Sequence, residues 1–153
     1  MKEESDLVNR VKPDLIFDEG KVDEIYIDHL GHPTFGIGHL ITVSDPEYGL
    51  SVGTKISQER IDQAFEADIR ESIRDCHAVF GPRFDRFPSE VQEILVNMMF
   101  NLGRTRLAKF VRMRSALVNN DWKKAAAEGR DSLWYRQVTN RAERLMTRLE
   151  NVA

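Results

Sequence analysis

Phe17-Asp18-Glu19-Gly20 and, fourteen residues further on, Thr34-Phe35-Gly36-Ile37-Gly38-His39-Leu40 frame the stretch that decides the fold. Pro13-Asp-Leu-Ile-Phe-Asp-Glu19 reads as a short helix, with Pro13 suited to its first position and Gly20 to its exit. An earlier helix from Ser5 would be broken or kinked at Pro13. Beyond Gly20 the pattern changes. Ile25, Tyr26 and Ile27 are strand formers, Leu30-Gly31-His32-Pro33 is a turn pattern, and Thr34–Gly38 suits a second strand. Gly36 and Gly38 leave one strand face bare, which favours close approach of another backbone or a ligand. A third short strand over Leu40–Val43 completes a small antiparallel sheet, the chain's one β signal.

The remainder reads as helix. Ser57 can cap a helix running to about Phe80, in which Ile61, Phe65, Ile69, Ile73 and Cys76 form one apolar stripe. Its 24 positions span roughly 36 Å. That is too long to be covered by a small sheet, so the helix bridges two lobes. Pro88-Ser89 with Gln92 is a capping-box pattern opening a strongly apolar helix that Gly103 stops. Further helices are expected near 105–118, 121–129 and 140–150, anchored by Trp122, Trp134 and Tyr135.

Composition sets the class. In 153 residues, 41% hydrophobic and 31% charged is the balance of an ordinary soluble globular domain. No stretch approaches the roughly 20 apolar residues of a membrane span, and Met1–Arg10 lacks the apolar core of a secretory signal. The single cysteine, Cys76, permits no intrachain disulfide and fits a reducing cytosol. Residues 1–80 carry 8 Lys/Arg against 17 Asp/Glu, and residues 81–153 carry 14 against 8. The basic half, with Arg104, Arg106, Lys109, Arg112 and Arg114, suits a polyanion such as nucleic acid, anionic lipid or wall polymer, or is a solvated face. No DNA-binding motif accompanies it.

Glu19 at a helix end, Asp28 at a strand end and Thr34 on the next strand are the candidate chemistry. Glycosidic cleavage needs one carboxyl that holds its proton for the leaving oxygen and another that stays ionised. Spacing alone is weak ground among 25 acidic residues. The ordered set Asp18-Glu19-Gly20, Ile25-Tyr26, Asp28, Thr34–Leu40, Phe65 with Asp68, Phe100, Gly103, Phe110, Trp134-Tyr135 and Asn140-Arg141-Ala142 resembles the T-even phage lysozymes (endolysins) through nearly the whole chain. The first dozen residues and the loop Ser44–Lys55 lie outside the likeness.

That resemblance implies a two-lobed, mostly helical α+β fold within one domain over 1–153. It comprises a β lobe over 18–60, a connecting helix over 57–80, and a helical lobe over 81–153 with the N-terminal helix 1–17 packed on it, the cleft lying between the lobes. It implies hydrolysis of the β-1,4 bond between N-acetylmuramic acid and N-acetylglucosamine, with inversion. Glu19 would be the general acid, Asp28 the second carboxylate, and Thr34 a holder of the attacking water. Leu40, Phe100, Asn101, Met113 and Arg141 match substrate-binding positions, Arg141 being the family arginine that pairs with the catalytic glutamate. His39 matches a histidine paired with Asp68, a structural ion pair. Asn101 stands where a longer glutamine is common, Met113 and Glu128 replace smaller or neutral polar residues, and Val138-Thr139 replaces a Thr-Pro pair.

The expected partner is the peptidoglycan glycan strand, met by a monomer with no cofactor, no metal, no nucleic acid and no membrane insertion. Synthesis in the host cytoplasm and action in the periplasm after release by a holin or another route complete the expectation. Two alternatives stand beside it: a chitin- or chitosan-directed glycosidase, and an inactive wall-binding or virion structural module.

Overall fold

The computed structural model describes residues 2–153. In chain order it runs α1 (Lys2–Glu19), β1 (Val22–Ile27), β2 (Pro33–Gly36), β3 (His39–Leu40), α2 (Gln58–Phe80), α3 (Arg83–Arg86), α4 (Ser89–Leu102), α5 (Arg104–Ala108), α6 (Val111–Val118), α7 (Trp122–Arg130), α8 (Leu133–Gln137) and α9 (Thr139–Glu150). This is the expected α+β architecture, mostly helical with one small antiparallel sheet. The chain divides into two compact units, Val8–Glu71 and the remainder from Ser72 onward together with the residues up to Leu7. The division falls within α1 and within α2.

In the sheet-bearing unit, α1 runs unbroken through Pro13, where the sequence suggested a break. Asn9 and Pro13 are both exposed, so water can satisfy the Asn9 carbonyl that loses its bond to proline. Val8, Val11 and Leu15 are buried on the same helix and hold it in place. Gly20, at φ +73°, closes it by donating its N–H to the Ile16 carbonyl at 2.9 Å.

The strand order is β1-β2-β3, with Tyr26 opposite Thr34 and Thr34 opposite Leu40. Directly opposed residues share a sheet face. Tyr26, Thr34 and Leu40 therefore form one row, while Ile25 and Phe35 are fully buried on the other side. The outer edge of β1 is covered, because Ile25 exchanges backbone hydrogen bonds with Gly53 and Thr54 at 2.8 and 2.9 Å. The third strand is shorter than expected: Asp45 takes the Thr42 N–H at 2.9 Å and turns the chain away. Gly36 is needed as glycine, since at φ +66° a Cβ there would lie 3.1 Å from Ile61 Cγ2 of α2.

Ser57 caps α2 through its Oγ, which accepts the Arg60 N–H at 3.1 Å. In the helical unit α7 packs on α6 and α9, and α4 and α8 also lie on α9. Phe80, Phe84, Phe87 and Trp122 stack edge to face with centroids 5.7–6.3 Å apart. The capping box at α4 does not form. Pro88 is the cap residue with no side-chain cap bond, and Gln92 Nε2 instead donates to the Phe84 carbonyl at 3.0 Å. The span expected as one helix near 105–118 is two, α5 and α6, separated at Lys109–Phe110. No helix among the described residues is long and apolar enough to cross a membrane.

Candidate active site

Asp28 sits where β1 hands over to the turn before β2. Its Oδ1 accepts the backbone N–H groups of Leu30 at 2.9 Å and His32 at 2.8 Å, while its own N–H donates to the His32 carbonyl at 2.9 Å. The aspartate thus builds the turn with one oxygen and leaves Oδ2 outside it, with His32 Nδ1 3.7 Å away. The His32 N–H holds the carboxyl below the ordinary aspartate range; partial burial opposes this, and the Leu30 N–H and nearby His32 and His29 add to it. Asp28 is built to stay ionised.

Thr34 is only 2% exposed, and its hydroxyl donates to the His32 carbonyl at 2.9 Å. With its hydrogen committed, the Thr34 oxygen is left as an acceptor.

Glu19, half-buried at the end of α1, reaches Gly38, the turn residue between β2 and β3. A Cβ built at Gly38, where φ is +68°, would stand 2.8 Å from Glu19 Oε1 and 3.3 Å from its carboxyl carbon. Gly38 thus lies beyond the end of β2 rather than in a strand reaching to it, and the carboxyl fills the space that a side chain there would take. Tyr26 lies in the field of both acids. Burial raises its pKa first, and the charges of Glu19 and Asp28 raise it further, so the phenol keeps its proton.

Behind the sheet, His39 is held from both sides. Nδ1 lies 2.7 Å from Asp68 Oδ2 on α2, and Nε2 lies 2.9 Å from Asp45 Oδ2. Burial alone would lower the imidazole's pKa, but bonds to the two carboxylates overcome it and raise it. Burial would likewise raise Asp45, yet the Thr42 N–H, His39 and Arg60 hold it low. Arg60 continues the chain of charges. It grips Glu47 with two bonds of 2.7 and 3.0 Å, reaches Asp45 at 3.2 Å, and lies over the Phe35 ring at 5.5 Å. The sequence pointed to His39 and Asp68. It did not point to Asp45, Glu47 or Arg60, which fix the loop that the resemblance left unplaced.

Phe100, Asn101, Met113 and Arg141 belong to the helical unit. Asn101 Oδ1 accepts the Trp134 indole N–H at 2.8 Å, so one end of this shorter amide is spent on holding the ring. Trp134 packs edge to face with Phe110 at 6.3 Å. These two rings, Met113 and Glu128 line a cavity of about 550 Å³, with Arg106, Lys109 and Arg112 also in its wall. Phe100 is half-buried on α4. Arg141 donates from Nε to Asn97 Oδ1 at 2.9 Å and from Nη2 to the Asn97 carbonyl at 3.3 Å, which accounts for a polar side chain only 2% exposed. The sequence reading missed Asn97 because it sits within an apolar run.

Two acids in unlike settings, one tied into a turn by backbone donors and one at a helix end against a glycine, are what a glycosidase divides between charge and proton. The small sheet and the mostly helical body around them are the fold of a lysozyme-like glycoside hydrolase. The chain belongs to the phage lysozyme family, which it matches over residues 17–151. It is 36% identical to the pre-baseplate central spike protein Gp5 of Enterobacteria phage T4, over 84% of this chain and 25% of that protein. It is 28% identical to probable T4-type lysozyme 2 of Dictyostelium discoideum, over 94% of this chain and 95% of the relative. Probable T4-type lysozyme 1 of the same organism is 25% identical with the same coverage. The chain thus spans a quarter of the phage spike protein and nearly the full length of the Dictyostelium proteins.

Proposed function

We propose that this protein hydrolyses the β-1,4 bond between N-acetylmuramic acid and N-acetylglucosamine in peptidoglycan, with inversion at the anomeric carbon. Glu19 gives its proton to the leaving glycosidic oxygen as the carbon–oxygen bond breaks. Asp28 takes a proton from a water that attacks the opposite face, and Thr34 helps hold that water. The observation that carries this reading is Asp28, whose Oδ1 is fixed by two backbone N–H groups while Oδ2 is left to work.

Leu40, half-exposed in the row with Thr34, is the proposed sugar contact of the sheet-bearing unit. In the helical unit the proposed sugar contacts are Phe100, the amide nitrogen of Asn101, Met113 and Arg141. No cofactor is required by this chemistry. Delivery by a holin and action as a monomer belong to the same proposal.

Glu19→Gln tests it. The variant should remain folded and lose the clearing of permeabilised Gram-negative cells, and retained clearing ends the site assignment. A second reading, in which the domain works or serves structurally as part of a phage particle, is favoured by the 36% identity to a phage spike protein. Finding the protein in purified virions, with or without murein hydrolysis, separates the two.

A further inference from the structure

Tyr26 has no part in the scheme above, yet it lies in the field of both Glu19 and Asp28. It stands directly opposite Thr34 on the paired strand, and Asp28 follows two residues later, so period-two alternation puts all three on one face of the sheet. The Asp28 N–H to His32 carbonyl bond of 2.9 Å carries the ladder one residue beyond β1, which keeps Asp28 in register with that face. The phenol is half-buried, and its hydroxyl has no hydrogen bond to any other described residue. A half-buried hydroxyl in that position is completed by water or by ligand.

The neighbouring groups lack what Tyr26 supplies. Asp28 Oδ2 is an acceptor, and Thr34 Oγ1, having given its hydrogen to the His32 carbonyl, is also an acceptor. A water bound by these two gives up both hydrogens and has two lone pairs left. One must face the anomeric carbon. The other needs a donor, or it leaves the water free to swing about the Asp28–Thr34 axis. A phenol that is kept protonated beside two carboxylates is such a donor.

Resting on the proposed hydrolysis, we propose that the Tyr26 hydroxyl is a third ligand of the attacking water, donating to its oxygen while Asp28 and Thr34 accept its two hydrogens. As the water oxygen bonds to the anomeric carbon, one of its protons passes to Asp28, the glycosidic bond breaks, and the leaving oxygen takes the proton of Glu19. Tyr26 orients the nucleophile and keeps its own proton throughout.

The test is steady-state kinetics on soluble glycan strands with Tyr26→Phe, and with a fluorinated tyrosine placed at position 26 alone. Loss of one neutral hydrogen bond that matters only in the transition state should lower kcat about five- to tenfold and leave KM nearly unchanged. Fluorination lowers the phenol's pKa without changing its shape. The fluorinated protein should work at neutral pH and lose kcat as the pH rises through that lowered value, a limb missing from the unmodified protein. An unchanged kcat in Tyr26→Phe overturns the inference. So does a rise in KM alone, which marks a sugar contact. If Tyr26→Phe fails to fold by circular dichroism, the fluorinated protein decides, and a pH profile identical to that of the unmodified enzyme overturns the inference. Glu19→Gln run in parallel separates the failures: activity surviving there removes the hydrolysis scheme itself, whereas an inactive Glu19→Gln with indifferent Tyr26 arms removes only the role of the phenol.

Discussion

His39→Asn is predicted to destabilise the protein in a pH-dependent way whose sign follows from the geometry. The imidazole bridges Asp68 at 2.7 Å and Asp45 at 2.9 Å, and the three side chains are 13%, 23% and 15% exposed. Its folded pKa is raised, so its contribution is fully present below the unfolded value of about 6.5 and is lost as pH rises through the folded one. Asp45 is depressed, so its contribution is present above about 3.9 and is lost as pH falls through its folded value. The bridge is therefore strongest in the window between these limits. There both ring nitrogens donate to carboxylates, and charge-assisted bonds of this kind are worth about 1.5–3 kcal/mol each. Partial exposure places the sum near the lower end, at about 3 kcal/mol.

Above the window a neutral ring has one N–H and can satisfy one carboxylate only, worth about 1 kcal/mol. Loss of ring packing on Phe35, at a centroid distance of 4.9 Å, adds an equal amount at every pH. The variant should thus lose about 2 kcal/mol more at pH 5.5 than at pH 9, or about 4–8 °C in Tm for a chain of this size. Urea unfolding of both proteins at the two pH values measures it. Equal losses at both would refute the ion-pair assignment and leave His39 as a packing residue.

Two further substitutions separate chemistry from scaffold. Gly38→Ala places a methyl 2.8 Å from Glu19 Oε1 at φ +68°. It should cost about 1–2 kcal/mol in backbone strain and, by displacing the acid by about 1 Å, lower kcat on the order of a hundredfold; wild-type kcat in a folded variant would show that the carboxyl does not work from there. Asp28→Asn keeps an oxygen for the Leu30 and His32 N–H groups but removes the charge, so Tm should fall less than in Asp28→Ala while kcat falls about 10²–10⁴-fold. Asp28→Ala should lose both activity and Tm, and identical melting of the two variants would mean the turn does not depend on that oxygen.

Much of this was legible because it is local. Gly20 ending α1, Ser57 opening α2, Gly103 ending α4 and the alternation around Ile25 and Phe35 are signals read within a few residues of where they act. The failures are equally physical. Pro13 was read as a break because a lost hydrogen bond is visible in sequence, whereas solvation of the Asn9 carbonyl and burial of Val8, Val11 and Leu15 on the same helix are not. The loop after β3 was unreadable because Arg60 meets Asp45 and Glu47 across fifteen and thirteen residues, and charge pairs at such separations carry no period. Tyr26 was quoted in the resemblance and assigned no role. Its position two residues before Asp28 was the available sign, since alternation alone places the two side chains together.

Sheet and turn give the two acids different settings. Asp28 belongs to a turn that needs an anion-like acceptor: two backbone N–H groups converge on one oxygen, and protonating that carboxyl would weaken both bonds. The stability of the turn and the ionisation of Asp28 are thus coupled, and the residue cannot readily become the proton donor. Glu19 lies outside that turn, at the end of α1. Its carboxyl packs on Gly38, where the backbone has no side chain to offer it. The proposed role of Asp28 as the charged partner rests on that coupling. An Asp28 carboxyl whose pKa, followed by NMR titration, was not lowered in the folded protein would contradict that coupling.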